Sequence, residues 1–193
     1  MTPPNFPKRP LRAHFRQILE SAEPAQLHKW NQALGGQLLK LSQAFPAGGF
    51  VAAYRARPKE ANPEALWALP FRFCFPRVLA ADQLEFRLVP NARDDSAFRE
   101  GYRGILEPLD SQVLVAREQI SVCLVPLLAF DAKGGRLGHG KGHYDRFLSG
   151  FSGLKIGIGF ECQFSVQPLP MDLYDQRMDM VVSEALIRDF RAR

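Results

Sequence analysis

ISVCLVPLLAFDAKGGRLGHGKGHYDRFL, residues 120–148, decides the fold. Residues 120–128 are the most apolar run of the chain and read as a central strand covered on both faces. Residues 144–148 read as the start of a helix. Between them, residues 131–142 read as one loop, with five glycines between positions 134 and 142. Glycine at that density lets the backbone approach a ligand closely. Amide N–H groups there, with a helix N-terminus behind them, make an anion site. Arg136, His139 and Lys141 add cationic donors, so the expected ligand is a phosphate chain. Residues 135–141 satisfy G-x-x-x-x-G-K, but Gly142 follows where a P-loop carries the Ser or Thr that holds magnesium. The spacing Gly138, Gly140, Gly142 is also not the dinucleotide fingerprint, whose third glycine comes one residue later.

Working outward, the remaining segments alternate between strand and helix patterns. Leu11, Phe15, Ile18 and Leu19 have helical spacing over residues 10–20, with Pro10 suited to a first turn. Leu27, Trp30, Leu34, Leu38 and Leu41 form one face of a second helix, weakened by Gly35 and Gly36. Residues 50–54, 71–75, 84–88, 154–160 and 178–183 read as strands, the last of these being the final one. Residues 63–69 read as a short helix, 91–99 as charged surface loop and 101–108 as turns. This alternation predicts an α/β fold: a single-domain three-layer sandwich over residues 1–193, with a largely parallel central sheet flanked by helices. Residues 1–7 are a Pro-rich tail, read as flexible.

The chain has 193 residues, 46% of them apolar and 23% charged, which excludes wholesale disorder and fibrous repeats. No stretch approaches the roughly 20 apolar residues of a membrane span, and the N-terminus lacks the apolar run of a signal peptide. Cys74, Cys123 and Cys162 are odd in number and widely spaced, reading as reduced core thiols of a cytosolic protein. The formal net charge is +5, with 18 Arg against 7 Lys. Arginine forks suit phosphate and carboxylate groups. The cations are dispersed, however, without the stripe of a nucleic-acid binder.

Five sets of residues, in chain order, carry a resemblance to a known family. They are Lys8 to Arg12 (KRPLR); Tyr54 with Glu60; Gly101, Gly104, Ile105, Glu107 and Pro108; Phe130 to Asp145; and Leu169, Pro170, Tyr174, Asp175 and Asp179. The chain resembles the 5-formyltetrahydrofolate cyclo-ligase, or 5,10-methenyltetrahydrofolate synthetase, family. Three departures stand out. His143 replaces the first of two tyrosines, Tyr174 replaces a histidine, and the segment after Tyr54 keeps Glu60 without the usual E-[VI]-[DE]-T run.

The resemblance implies conversion of 5-formyltetrahydrofolate, with ATP and Mg2+, to 5,10-methenyltetrahydrofolate, ADP and phosphate through a phosphorylated formyl intermediate. It implies catalytic roles for Lys141 and Arg136. It assigns ATP binding to Lys8, Arg9, Arg12, Arg136, Leu137, Gly138, His139, Gly140, Lys141, Gly142, His143 and Tyr144. Substrate binding falls to Tyr54, Glu60, His139, Gly140, Lys141, Gly142 and His143, and metal binding to Asp145 and Asp179. Glu107 reads as a turn residue before a catalytic one, and His14 and His28 as surface residues. The expected partners are the folate substrate and ATP, without nucleic acid or membrane, in a cytoplasmic monomer. Two alternatives remain: a non-catalytic or nucleic-acid-binding member of the same fold, and another phosphate-handling enzyme of similar architecture, such as a sugar-phosphate isomerase.

Overall fold

A computed structural model describes residues 7–79, 83–101 and 104–191. Residues 1–6 of the expected tail lie outside the described residues, and Pro7 caps the first helix. Helix α1 spans Lys8–Ser21 and buries Phe15 and Leu19. Helix α2 spans Pro24–Ser42 and buries Leu34, Leu38 and Leu41. Gly35 within α2 has a packing reason: a Cβ there would lie 3.0 Å from Cβ of Ala65, in the short 3-10 turn Glu64–Ala68.

Strands β1 (Phe50–Ala52), β2 (Arg72–Val78) and β3 (Leu84–Leu88) follow. Then come the small pair β4 (Phe98–Glu100) and β5 (Leu106–Pro108), and strand β6 (Leu114–Val115). The apolar run 120–128 forms β7 (Ile120–Pro126). The expected single loop 131–142 is instead a hairpin followed by a shorter loop. Strand β8 (Ala129–Asp131) turns back on β9 (Arg136–Leu137), and residues 138–142 lead into helix α3 (His143–Leu148). Strands β10 (Leu154–Ile158), β11 (Phe164–Ser165), β12 (Met180–Val182) and β13 (Ile187–Asp189) complete the chain.

Among the described residues an eight-stranded sheet runs β13-β12-β10-β7-β1-β2-β3-β6. Its five central strands, β12 to β2, are parallel, and β13, β3 and β6 are antiparallel at the edges. The sheet is therefore mixed. Short connections join β2 to β3 and β12 to β13, where an antiparallel return needs no crossover helix. Strand β13 lies beyond the segment read as the final strand, β4 and β5 arise from segments read as loop and turn, and β6 from a stretch to which no element was assigned. Alternate side chains divide the core. Val51, Phe73, Val122 and Ile156 pack with α1 and α2, while Ala52, Cys74, Cys123 and Val125 pack with Leu148 of α3. Helices on both faces make the three-layer α/β sandwich.

Candidate active site

The carboxyl ends of β1, β2 and β7 open on a cleft of about 960 Å³, with Tyr54, Pro76, Val78, Pro126 and Leu128 on its floor and walls. This is where parallel α/β sheets present ligands, because loops leave the strands there in opposite directions.

The β8–β9 hairpin delivers the glycine loop to the cleft, and Asp131 fixes that hairpin. Asp131 is buried, and its Oδ1 accepts from the N–H groups of Lys133 and Gly135, both at 2.8 Å. Its Oδ2 accepts from the N–H of Leu169, also at 2.8 Å. In the loop itself Gly140 has φ +102° and Gly142 has φ +70°, left-handed conformations that favour glycine.

Helix α1 closes one side. Lys8, Arg12 and Arg16 recur every four residues and so share a face. Arg12 Nε donates to the Gly138 carbonyl over 2.9 Å, and Arg16 Nη2 to the His139 carbonyl over 3.4 Å. Lys8 forms ion pairs with Asp175 and, at 2.6 Å, with Asp172. Burial alone would lower the Lys8 ammonium, but the two carboxylates raise it above its ordinary value.

Arg136 lies beneath the loop, with its side chain only 4% exposed. Its Nη2 donates to Asp145 Oδ1 over 2.8 Å, and that oxygen also accepts from the N–H of Gln176 at 3.2 Å. Its guanidinium carbon is 5.9 Å from the Tyr144 ring centroid. Arg136 Nε and the Tyr144 hydroxyl are buried without a hydrogen-bond partner among the described residues. Burial pushes the Tyr144 phenol well up, so it stays protonated and able to donate. Two buried donors beside the cleft match an oxygen-rich ligand.

On the facing wall, Glu60 accepts from the Arg57 N–H at 2.9 Å, from Arg57 Nε at 2.9 Å and from Arg57 Nη2 at 2.5 Å. His139 Nε2 lies 3.1 Å from the same carboxylate. Burial would raise Glu60, but the bonds from His139 and Arg57 hold it down to about 2. The Tyr54 hydroxyl donates to the Ala61 carbonyl at 2.6 Å, which fixes the ring against the wall. Burial pushes its phenol well up. Glu107 is buried, lines the cleft and accepts from the Val78 N–H at 3.2 Å. A Cβ at Gly101 would fall 2.3 Å from its carboxyl carbon, which explains the glycine.

A profile of the 5-formyltetrahydrofolate cyclo-ligase family matches residues 5–184. The chain belongs to that family. A 5-formyltetrahydrofolate cyclo-ligase from Haemophilus influenzae is 29% identical over 173 residues, covering 86% of this chain and 91% of the relative. The solved 5,10-methenyltetrahydrofolate synthetase of Aquifex aeolicus superposes with a TM-score of 0.77 at 26% identity, covering 95% of this chain and 93% of its own. The Mycoplasma pneumoniae synthetase, at 22% identity, shares the fold with a TM-score of 0.74, over 93% of this chain and 99% of its own.

In this family member the cleft gathers nearly every residue singled out from sequence. Lys8, Arg12, Tyr54, Glu60, residues 136–144 and Asp145 all line it. Arg9 does not: it is exposed on α1, one position away from the shared face. Asp179 does not either. It sits immediately before β12, its Oδ2 accepting from the Lys155 N–H at 2.8 Å and its Oδ1 3.5 Å from Lys155 Nζ. No group of three His, Cys, Asp or Glu side chains among the described residues forms a metal cage. Asp145 at the cleft offers one carboxylate, which suits magnesium, an ion that takes its other ligands from phosphates and water. Sequence reasoning passed over Arg16, Arg57, Asp172 and the cleft position of Glu107. The fourfold spacing of Lys8, Arg12 and Arg16 was a legible signal for the first. Arg57 and Asp172 carried none.

Proposed function

We propose that this chain converts 5-formyltetrahydrofolate and ATP to 5,10-methenyltetrahydrofolate, ADP and phosphate, with magnesium. One observation carries the reading. The cationic glycine loop and the Tyr54–Glu60 wall line one cleft and join at His139, so a phosphate chain and a flat polar ring system can meet there.

The chemistry needs that meeting. A formamide carbon is a poor electrophile because its nitrogen donates into the carbonyl. The formyl oxygen attacks the terminal phosphorus of ATP, and ADP departs. The resulting iminium phosphate accepts the lone pair of the neighbouring folate nitrogen at carbon. That nitrogen loses its proton, the carbon–oxygen bond breaks and phosphate leaves. The protein's contribution is alignment and neutralisation of developing charge.

Loop amides, Lys141 and the α1 cations Lys8 and Arg12 hold the phosphates. Arg136 supports them from below, together with the Tyr144 hydroxyl. Tyr54 flanks the pterin, and Glu60 accepts from its ring N–H groups. His143 contributes an aromatic face and a polar contact where the family usually has tyrosine. Asp145 would hold magnesium together with the phosphates, and the ion would supply charge neutralisation there. The protein acts as a cytoplasmic monomer without a nucleic-acid or membrane partner.

The test is purified protein with 5-formyltetrahydrofolate, ATP and magnesium, following the methenyl chromophore and ADP together. One ADP and one phosphate per methenyl product is the expected result. AMP and pyrophosphate would sink the phosphoryl-transfer route. Steeply salt-dependent nucleic-acid affinity without turnover would favour the binding-protein alternative.

A further inference from the structure

One ring nitrogen of His139 faces two incompatible hydrogen-bond demands. Its Nε2 lies 2.8 Å from Arg57 Nη2 and 3.1 Å from Glu60 Oε1. A guanidinium only donates, and an ionised carboxylate only accepts. Glu60 stays ionised in either case, since Arg57 gives its carboxylate three hydrogen bonds and a full charge. Nε2 therefore satisfies Arg57 when it carries a lone pair and Glu60 when it carries a proton, never both.

We propose that His139 and Arg57 are positioning residues for Glu60: on gaining a proton the imidazole moves its Nε2 hydrogen bond from Arg57 to Glu60, and so sets how strongly that carboxylate accepts from the folate ring. This rests on the reading of Glu60 as the acceptor for pterin N–H groups. Arg57 already gives three bonds to the carboxylate. Two of these fall on Oε1 and one on Oε2, so a fourth, from protonated His139 to Oε1, adds a charged donor and weakens what the free lone pair of Oε2 can accept from the substrate. The folate is thus favoured by neutral His139, with its proton on Nδ1 and Nε2 accepting from Arg57. That is the tautomer opposite to the one an isolated imidazole prefers.

The surroundings set the electrostatics of this exchange. From the 55–60 segment the charged groups on the cleft are Arg55, Arg57, Lys59 and Glu60, and from α1 Lys8, Arg12, Arg16 and Glu20, with Glu107, Asp172 and Asp175 from other elements. Lys141 lies on the same loop as His139, His143 opens helix α3 just after it, and Arg136 and Asp145 flank it. Arg16 holds the His139 backbone carbonyl, so the ring changes partner without the loop being released.

Two measurements test this. The first uses the ligand-free full chain with nitrogen-15-labelled histidine, whose four ring systems are separated by NMR and assigned with His139→Gln. At alkaline pH His139 is expected as the Nδ1–H tautomer, and Arg57→Met, which removes the donor, should return it to Nε2–H. An Nε2–H tautomer in the unaltered protein, or no change in Arg57→Met, overturns the proposal. The second follows the folate KM and kcat between about pH 5.5 and 8, across the range where an imidazole titrates, at saturating ATP and magnesium. The KM should rise about fivefold toward acid, the value of one hydrogen bond, with a smaller change in kcat. His139→Gln carries an amide donor and acceptor at every pH, so its folate KM should stay flat. Because His143 is present in both proteins, an equal pH dependence in the two overturns the role of His139. Complete absence of cyclisation counts against the proposed function, while the NMR result still decides the hydrogen-bond exchange.

Discussion

Arg12 Nε donates to the carbonyl oxygen of Gly138 over 2.9 Å, bonding the first helix directly to the glycine loop 126 residues away. The same guanidinium limits the space above the loop, since a Cβ at Gly140 would lie 3.2 Å from its Cζ. Helix and loop therefore form one wall of the cleft and should respond together to a nucleotide.

Arg12→Ala should raise the KM for ATP by about tenfold or more, because a charged hydrogen bond is worth roughly 1.5–3 kcal/mol. Arg12→Lys should fall between, as an ammonium keeps the charge but loses the fork. ATP titrations at saturating folate measure both. Unchanged values would remove α1 from the nucleotide site.

Gly140→Val should damage ATP use more than Lys141→Ala. The left-handed backbone at φ +102° is strained for valine, and the added side chain meets Arg12. Lys141→Ala loses an exposed cation and should weaken ATP use by about an order of magnitude. If both variants keep normal ATP kinetics, the phosphates bind elsewhere.

Asp145→Asn and Asp179→Asn should separate. Asp145 faces the cleft, so its loss should raise the magnesium requirement and cut turnover. Asp179 is bonded to Lys155, so its variant should lower thermal stability and leave the magnesium requirement in place. Activity against magnesium concentration, with melting curves, distinguishes them. Normal turnover of Asp145→Asn at limiting magnesium would falsify its ligand role.

Asp131→Ala should be a folding variant. The buried carboxylate satisfies three backbone N–H groups, and leaving them without a partner should cost about 3–5 kcal/mol. Denaturant midpoints check this. A loss below about 1 kcal/mol would mean that water replaces the carboxylate.

Glu60 gives stability a sign with pH. Its carboxyl is held at about 2 when folded, below the ordinary 4.5, because the bonds from His139 and Arg57 outweigh the effect of burial. A depressed acid stabilises fully above its unfolded value, and that contribution fades as pH falls from about 4.5 toward 2. Glu60→Gln should therefore be less stable by on the order of 2 kcal/mol near pH 7, with the gap narrowing below pH 4.5. A gap independent of pH would show that the loss is steric.

The local patterns of the sequence determined the core elements and the glycine loop. The apolar run at 120–128, the helical spacing of Leu34 and Leu38, and the glycines at 138, 140 and 142 each act within a few residues, so their meaning survives without neighbours. The edge strands β6 and β13 did not show, because two or three residues hold strand conformation only through their pairing. The same limit divided the site. Lys8, Arg12 and the loop could be placed by pattern, but the packing of α1 and β12 decided which charges meet. Asp175 was drawn to Lys8, and Asp179 to Lys155. Arg57 met His139 across 82 positions, which no local spacing encodes. Ion pairs and shared hydrogens depend on distances of a few ångströms between segments remote in sequence, and only the folded chain sets those distances.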